Sequence, residues 1–161
     1  MEFMNTEQKY TFSSASLEQS LELGQKLAKL IKPPILIELV GDLGGGKTAL
    51  VKAIAKGLGI EQTVTSPTFN IHRSYQAPNG VKLEHFDLYR LSDDEIVLNE
   101  LAESLEDPMA IVCTEWANHF TKLPKADKLV VECHYESENE RRYVISGNSK
   151  KTNGIIQGLK K

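Results

Sequence analysis

Cysteine is scarce in this chain, and tryptophan scarcer. Only two of its 161 residues are cysteine, Cys113 and Cys133, and both sit inside apolar runs. With no C-x-x-C and no Cys/His ligand spacing, neither a disulfide framework nor a zinc ribbon can be built. The thiols read as reduced core residues, and the chain needs no oxidising compartment. No apolar run is long enough to cross a bilayer. The start, Met1-Glu2-Phe3-Met4-Asn5-Thr6-Glu7, lacks the charged-then-apolar order of a signal peptide. The expected location is the cytoplasm, with no membrane partner. Repeats and low-complexity linkers are missing too, so the length fits one domain over residues 1–161, with 1–9 and 148–161 as candidate flexible ends.

Positive charge is absent from Leu91 to Thr121, where Asp93, Asp94, Glu95, Glu100, Glu103, Glu106 and Asp107 crowd one half. The net charge of −3 gives no sign of a polyanion-binding protein. The C-terminal part instead carries Arg141, Arg142, Lys150, Lys151, Lys160 and Lys161. The acidic stretch should repel nucleic acid, while the basic end is free to touch it or a partner. Plain solvation explains either face equally well.

What is present begins at Ile35-Leu36-Ile37-Glu38-Leu39-Val40, an apolar run that enters Gly41-Asp42-Leu43-Gly44-Gly45-Gly46-Lys47-Thr48. This is G-x-x-x-x-G-K-[ST] with a strand pattern before it and a helix pattern after it. The glycines let successive N–H groups turn toward one anion, and the helix start adds its positive end. Lys47 is placed to reach the β- and γ-phosphates, and the Thr48 hydroxyl to hold magnesium. The expected nucleotide contacts run from Asp42 through Leu43, Gly44, Gly45, Gly46, Lys47 and Thr48 to Ala49.

Around this loop, Tyr10–Phe12 predicts a short strand. Leu17, Leu21, Gly24, Ala28 and Ile31 repeat at helical spacing until Lys32-Pro33-Pro34 stops the helix. A second helix runs from about Lys47 to Gly57. Phe69–Ser74 and Val81–Leu88 predict strands around the turn Pro78-Asn79-Gly80. Ser92-Asp93-Asp94-Glu95 opens a short acidic helix, expected to break near Asn99 and resume to Leu105. Met109–Cys113 predicts a buried strand, Leu129–Tyr135 and Arg142–Ser146 a final pair, and the tail from Asn148 is weakly helical at best. Early alternation of helix and strand with late hairpins implies an α/β sandwich, its mixed sheet parallel in the centre and antiparallel at the edges.

Hydrolysis needs a metal-directing acid and a group that orients water. Glu115, following Ala110-Ile111-Val112-Cys113-Thr114, resembles a Walker-B acid that meets magnesium directly or through water. In His85-Phe86-Asp87-Leu88-Tyr89-Arg90, period-two spacing puts His85, Asp87 and Tyr89 on one face. Asp87 is thus a candidate for metal binding, water orientation, or both. Thr68, after Pro67, stands where phosphate-loop switches place a hydroxyl near the metal or γ-phosphate. Trp116, the single tryptophan, suits stacking on a base or a partner, and suits the core equally. Arg141 and Arg142 are candidates for a phosphate-facing arginine. No N-K-x-D occurs, which leaves no guanine signature.

Taken together, Gly41–Thr48, Ser66-Pro67-Thr68-Phe69, His85-Phe86-Asp87-Leu88-Tyr89-Arg90 and Glu115-Trp116 resemble, in order and spacing, the bacterial TsaE (YjeE) family, over roughly Ser16 to Tyr143. The resemblance implies a phosphate-loop ATPase fold binding ATP or ADP with magnesium. It also implies a role in forming threonylcarbamoyladenosine at position 37 of tRNA, by docking on the TsaD–TsaB transferase pair and not by acting on tRNA directly. By position it makes Thr48 and Glu115 magnesium-binding residues, Asp87 the acid needed for hydrolysis and Thr68 a switch-like threonine; the segment near Gln19 and Ser20 corresponds loosely to the adenine region. There are departures. Gly45 replaces a usual alanine, harmlessly by expectation. Thr114 replaces an aliphatic, and Leu101 a common glycine. A small-molecule kinase and a nucleotide-gated switch remain as alternatives; the two acids favour hydrolysis.

Overall fold

The computed structural model describes residues 8–67 and 70–161. Seven strands form one sheet, β1 (Lys9–Ser14), β2 (Ile35–Gly41), β3 (His72–Gln76), β4 (Lys82–Asp87), β5 (Ala110–Glu115), β6 (Lys128–Tyr135) and β7 (Arg141–Gly147). The helices are α1 (Leu17–Leu30), α2 (Lys47–Gly57), α3 (Glu95–Glu106) and α4 (Lys150–Leu159). Strand order is β1-β7-β6-β2-β5-β4-β3. The pairs β6–β2, β2–β5 and β5–β4 are parallel, and β1–β7, β7–β6 and β4–β3 antiparallel. This is the parallel centre and antiparallel edge that the sequence implies.

Alternation along the strands decides which face each side chain serves. Ile35, Ile37 and Leu39 of β2 join Ile111, Cys113, Leu129 and Val131 under α1, α2 and α4. Leu36, Phe86, Val112 and Ala110 point the other way and meet Val97 and Leu101 of α3. Each fully buried aliphatic side chain contributes roughly 1.5–3 kcal/mol. On β4 and β5 the same parity carries Leu83, His85 and Asp87, and Ile111, Cys113 and Glu115, toward the three-helix face. The expected common face of His85 and Asp87 is therefore present, and Glu115 shares it.

Helix α1 is capped by the Ser16 hydroxyl, which accepts from the Gln19 N–H. Its buried stripe is Ser20, Leu23, Gly24, Leu27 and Ala28, whereas Leu17, expected at its head, is 67% exposed. Gly24 lets α2 come close, since a Cβ there would sit 2.2 Å from that of Ala53.

Two expectations are corrected. Helix α3 is continuous through Asn99, with Asp94 as its cap, accepting from the N–H groups of Ile96 and Val97. Leu101, where the resemblance leads one to expect glycine, anchors it at 1% exposure. The segment from Asn148 is not weakly helical: Ser149 and Thr152 form a reciprocal capping box, and Ile155, Ile156 and Leu159 are buried. Tertiary burial overrides the low propensity of Gly154 and Gly158. The strand expected from Phe69 begins at His72; Phe69 itself lies outside the described residues. Among the described residues no helix is long and apolar enough to cross a membrane.

Candidate functional site

β2 delivers the chain to a loop in which Gly41, Gly44 and Gly46 take φ of +120°, +75° and +97°, open only to glycine without strain. β6 pins this loop from outside. The Asp42 N–H donates to the Cys133 carbonyl at 3.1 Å, and the Tyr135 N–H donates to the Asp42 carboxylate at 3.2 Å. A Cβ on Gly45 would lie 2.5 Å from the Cys133 carbonyl oxygen. Glycine at 45 suits this backbone, since a Cβ there would require loop and strand to part. Gly46 caps α2 with no side-chain hydrogen bond, so the first N–H groups and the positive helix end are available to an anion.

The Lys47 side chain folds back over this loop. Its Nζ donates to the carbonyls of Asp42 at 2.7 Å and Gly41 at 3.2 Å. The same ammonium lies 4.1 Å from the centroid of the Trp116 ring, a cation–π contact. Trp116 reaches it from a left-handed backbone, φ +63°, at the exit of β5, and its ring meets that of Tyr89 at 5.2 Å. Trp116 is half-buried and covers the lysine at the edge of the site.

The Thr48 hydroxyl donates to Glu115, 3.0 Å from Oε1 and 3.1 Å from Oε2. His85 Nε2 is 2.6 Å from Glu115 Oε2, and His85 is fully buried. One carboxylate is thus oriented from two sides, by the start of α2 and by β4. Asp87 faces Glu115 in register on the neighbouring strand. Its own oxygens accept from the Ser66 hydroxyl at 3.2 Å and the Tyr89 N–H at 3.1 Å. Below them the thiols are inert. Burial, with the Cys113 side also facing Glu115, drives that thiol far above its usual range. Burial, with Glu115 adding and Lys47 opposing, pushes Cys133 up to about 12. Both are free thiols, as expected.

These groups border a cavity of about 370 Å³ lined by Leu43, Gly44, Gly46, Lys47, Thr48, Ala49, Asp87, Glu115 and Trp116, with Ser66 and Tyr89. Asp42 and Gly45 do not line the cavity: the Asp42 carboxylate accepts from the Tyr135 N–H, and the Gly45 N–H donates to the Asp42 carbonyl at 2.9 Å. Thr68 lies outside the described residues. Arg142 is not brought to the cavity: its Nε pairs with Glu136 Oε1 at 2.8 Å. Period two explains this, since Tyr143 is buried toward α1, where its hydroxyl donates to Ser20 at 3.1 Å, and Arg142 must face away. Arg141 shares the Tyr143 face. It lines a neighbouring hollow with Ser20, Gly46 and Ala49 and donates to the carbonyls of Ser137 and Glu140.

Sequence reading missed the Glu115-orienting role of His85 and the contact of Ser66 with Asp87. The H-x-D spacing and the Ser-Pro element were the available signals. The oxygen set of Thr48, Glu115 and Asp87 fits magnesium, which takes one or two carboxylates and fills its remaining positions from substrate phosphates and water. A zinc cage fits poorly, since among the described residues no group of three or more His, Cys, Asp or Glu is arranged to hold a metal.

A glycine-rich loop between a central parallel strand and a helix, with acids at the ends of two adjacent parallel strands, defines a P-loop nucleotide-binding fold. A crystal structure of YdiB from Bacillus subtilis has the same fold, with a TM-score of 0.74 at 24% identity over 97% of both chains. The model of the family described as threonylcarbamoyl adenosine biosynthesis protein TsaE matches residues 14–144. Relatives carrying that name include one from Streptomyces coelicolor, 45% identical over 98 residues, which are 59% of this chain and 65% of that protein. One from Nostoc sp. is 36% identical over 82% of each chain, and one from Bacillus subtilis 31% over 80% of each. The chain belongs to the TsaE family.

Proposed function

We propose that this chain is a magnesium-dependent ATPase serving threonylcarbamoyladenosine formation on tRNA, doing its chemistry on ATP at the TsaD–TsaB transferase pair and not on tRNA itself. The names of its relatives support the pathway. The observation that carries the chemistry is the Thr48 hydroxyl 3.0 Å from a buried Glu115 carboxylate at the mouth of the phosphate loop.

The loop N–H groups and the start of α2 hold the phosphate chain, and Lys47 exchanges its two loop carbonyls for β- and γ-phosphoryl oxygens. Thr48, Glu115 and Asp87 would hold magnesium, which supplies charge neutralisation across the phosphoryl groups. Asp87, fixed by Ser66 and the Tyr89 N–H, orients the attacking water and accepts its proton. The water oxygen bonds to the γ-phosphorus, the bond to the bridging oxygen breaks, and ADP and phosphate leave. No arginine reaches the cavity among the described residues, which supports slow turnover without a partner. The absence of N-K-x-D, with the family likeness, supports adenine.

The test is calorimetry with magnesium ATP, followed by turnover with and without purified TsaD–TsaB. Asp87→Asn should keep metal-free binding of ATP to the loop within about threefold of wild type yet lose roughly 10²–10⁴-fold in turnover. Normal turnover in that variant would overturn the assignment. So would the absence of both binding heat and a complex.

A further inference from the structure

Two segments of the three-helix layer carry positive charge without any acidic side chain. Residues 23–34 and 148–161 contain seven lysines, namely Lys26, Lys29, Lys32, Lys150, Lys151, Lys160 and Lys161, and no acidic side chain. That leaves 12 of the 19 basic residues to face all 22 acidic ones in the remainder of the chain. The fold brings these two segments together as one seam on the three-helix face. Lys26 Nζ donates to the Leu159 carbonyl at 2.8 Å, and Lys151 Nζ to the Pro34 carbonyl at 2.7 Å. A Cβ on Gly158 would touch Leu30 at 2.7 Å. Lys32, Lys150 and Lys151 border one groove of about 560 Å³ floored by Leu30, Gly154 and Ile155. It opens at the start of β2, whereas the phosphate loop leaves the end of that strand, roughly 20 Å away at 3.3 Å per residue. The acidic helix α3 lies across the sheet.

We infer that this lysine seam is a docking surface for the phosphate backbone of a folded RNA. Lysines act as point charges and read no sequence, which suits contacts that position a polyanion. Neither segment contains an aromatic residue, so the surface offers no platform for unstacked bases and matches a paired stem. A protein partner would require apolar anchors. The exposed large apolar side chains among the described residues, Leu17, Leu43, Tyr89, Ile96, Met109 and Tyr135, all lie outside both segments. The choice of RNA rests on the tRNA reading above. It adds a direct contact which that reading does not require, and leaves the chemistry on ATP.

The test is fluorescence anisotropy of labelled tRNA with the full chain across a salt series. Two variants are compared, Lys32→Gln/Lys150→Gln/Lys151→Gln and the wholly peripheral Lys150→Gln/Lys160→Gln/Lys161→Gln. Each should weaken binding at low salt by about tenfold or more and flatten the slope of log K against log salt by about 2, near 0.7–0.9 per lost contact. Glu100→Gln/Glu103→Gln on α3 should leave binding no weaker. An unchanged slope in both lysine variants overturns the proposal, as does wild type that binds no tRNA at low salt. It is also overturned if the variants keep tRNA but lose TsaD–TsaB, or if vesicles rich in phosphatidylglycerol are bound in preference to tRNA. ATP turnover with TsaD–TsaB, measured in parallel, separates the two readings. Lysine-dependent tRNA binding without turnover would remove the ATPase assignment and keep the surface.

Discussion

The two faces of the sheet differ in cover. Three helices lie on one, and α3 covers the other with the 3-10 turn Ala117–His119 and Phe120. The candidate site groups belong to the thick side: His85, Asp87 and Glu115 share its parity, and the phosphate loop leads into α2. A carboxylate at 3% exposure and a histidine at 0% can be held in one geometry only where the packing beneath them is deep. The thin side carries the acidic surface. Its continuity depends on a few anchors, chiefly Val97 and Leu101. Rigidity is thus concentrated beneath the site, and the other layer is the one free to yield.

The largest effect that tests this contrast is a pair of truncations. Leu27→Ala, on the thick side, should cost about 4–5 kcal/mol, because neighbours held on several sides cannot collapse into the cavity. Leu101→Ala, under α3, should cost about 2–3 kcal/mol, since a single covering helix can settle inward. Urea unfolding of the two variants measures the difference; equal costs would erase the distinction between layers.

Next comes alkaline stability, since both thiols are buried on the thick side. Their pKa is raised in the fold above the ordinary value of 9.0, with Cys133 at about 12. The unfolded chain therefore loses these protons first. Their contribution is complete below pH 9 and is lost as pH rises from 9 toward 12. Each thiol should cost about 1.4 kcal/mol per pH unit within that window. Cys133→Ala should flatten the fall in unfolding free energy by about that slope, and an unaltered alkaline limb would contradict the burial argument.

The smallest effect concerns His85. His85→Gln should weaken magnesium-dependent nucleotide affinity by about 10–100-fold while sparing metal-free binding to the loop, the pattern of a lost orienting partner. Calorimetry with and without magnesium reads both; equal losses would mean that the substitution damages the loop itself.

Local features were the legible ones. The glycine spacing of residues 41–46 and the shared face of His85 and Asp87 depend on neighbours in sequence, and the structure keeps both. The contact between His85 and Glu115 depends on β4–β5 register, which no single strand encodes. Arg141 and Arg142 are equal candidates in the sequence because nothing in Glu140-Arg141-Arg142-Tyr143 says which parity the sheet will bury; Tyr143 decides it. Helix α4 is firmer than its sequence suggests because burial of Ile155, Ile156 and Leu159 compensates for two glycines. The cost of a Cβ at Gly45 comes from Cys133, a residue of a distant strand.

The ring of Trp116 lies 4.1 Å from the Lys47 ammonium, and it is the only indole in the chain. A nearby cation perturbs indole emission, so withdrawal of this ammonium toward a phosphate would change the colour and yield of the protein's own light. The molecule carries a built-in optical gauge of its loop, readable by stopped flow without any dye.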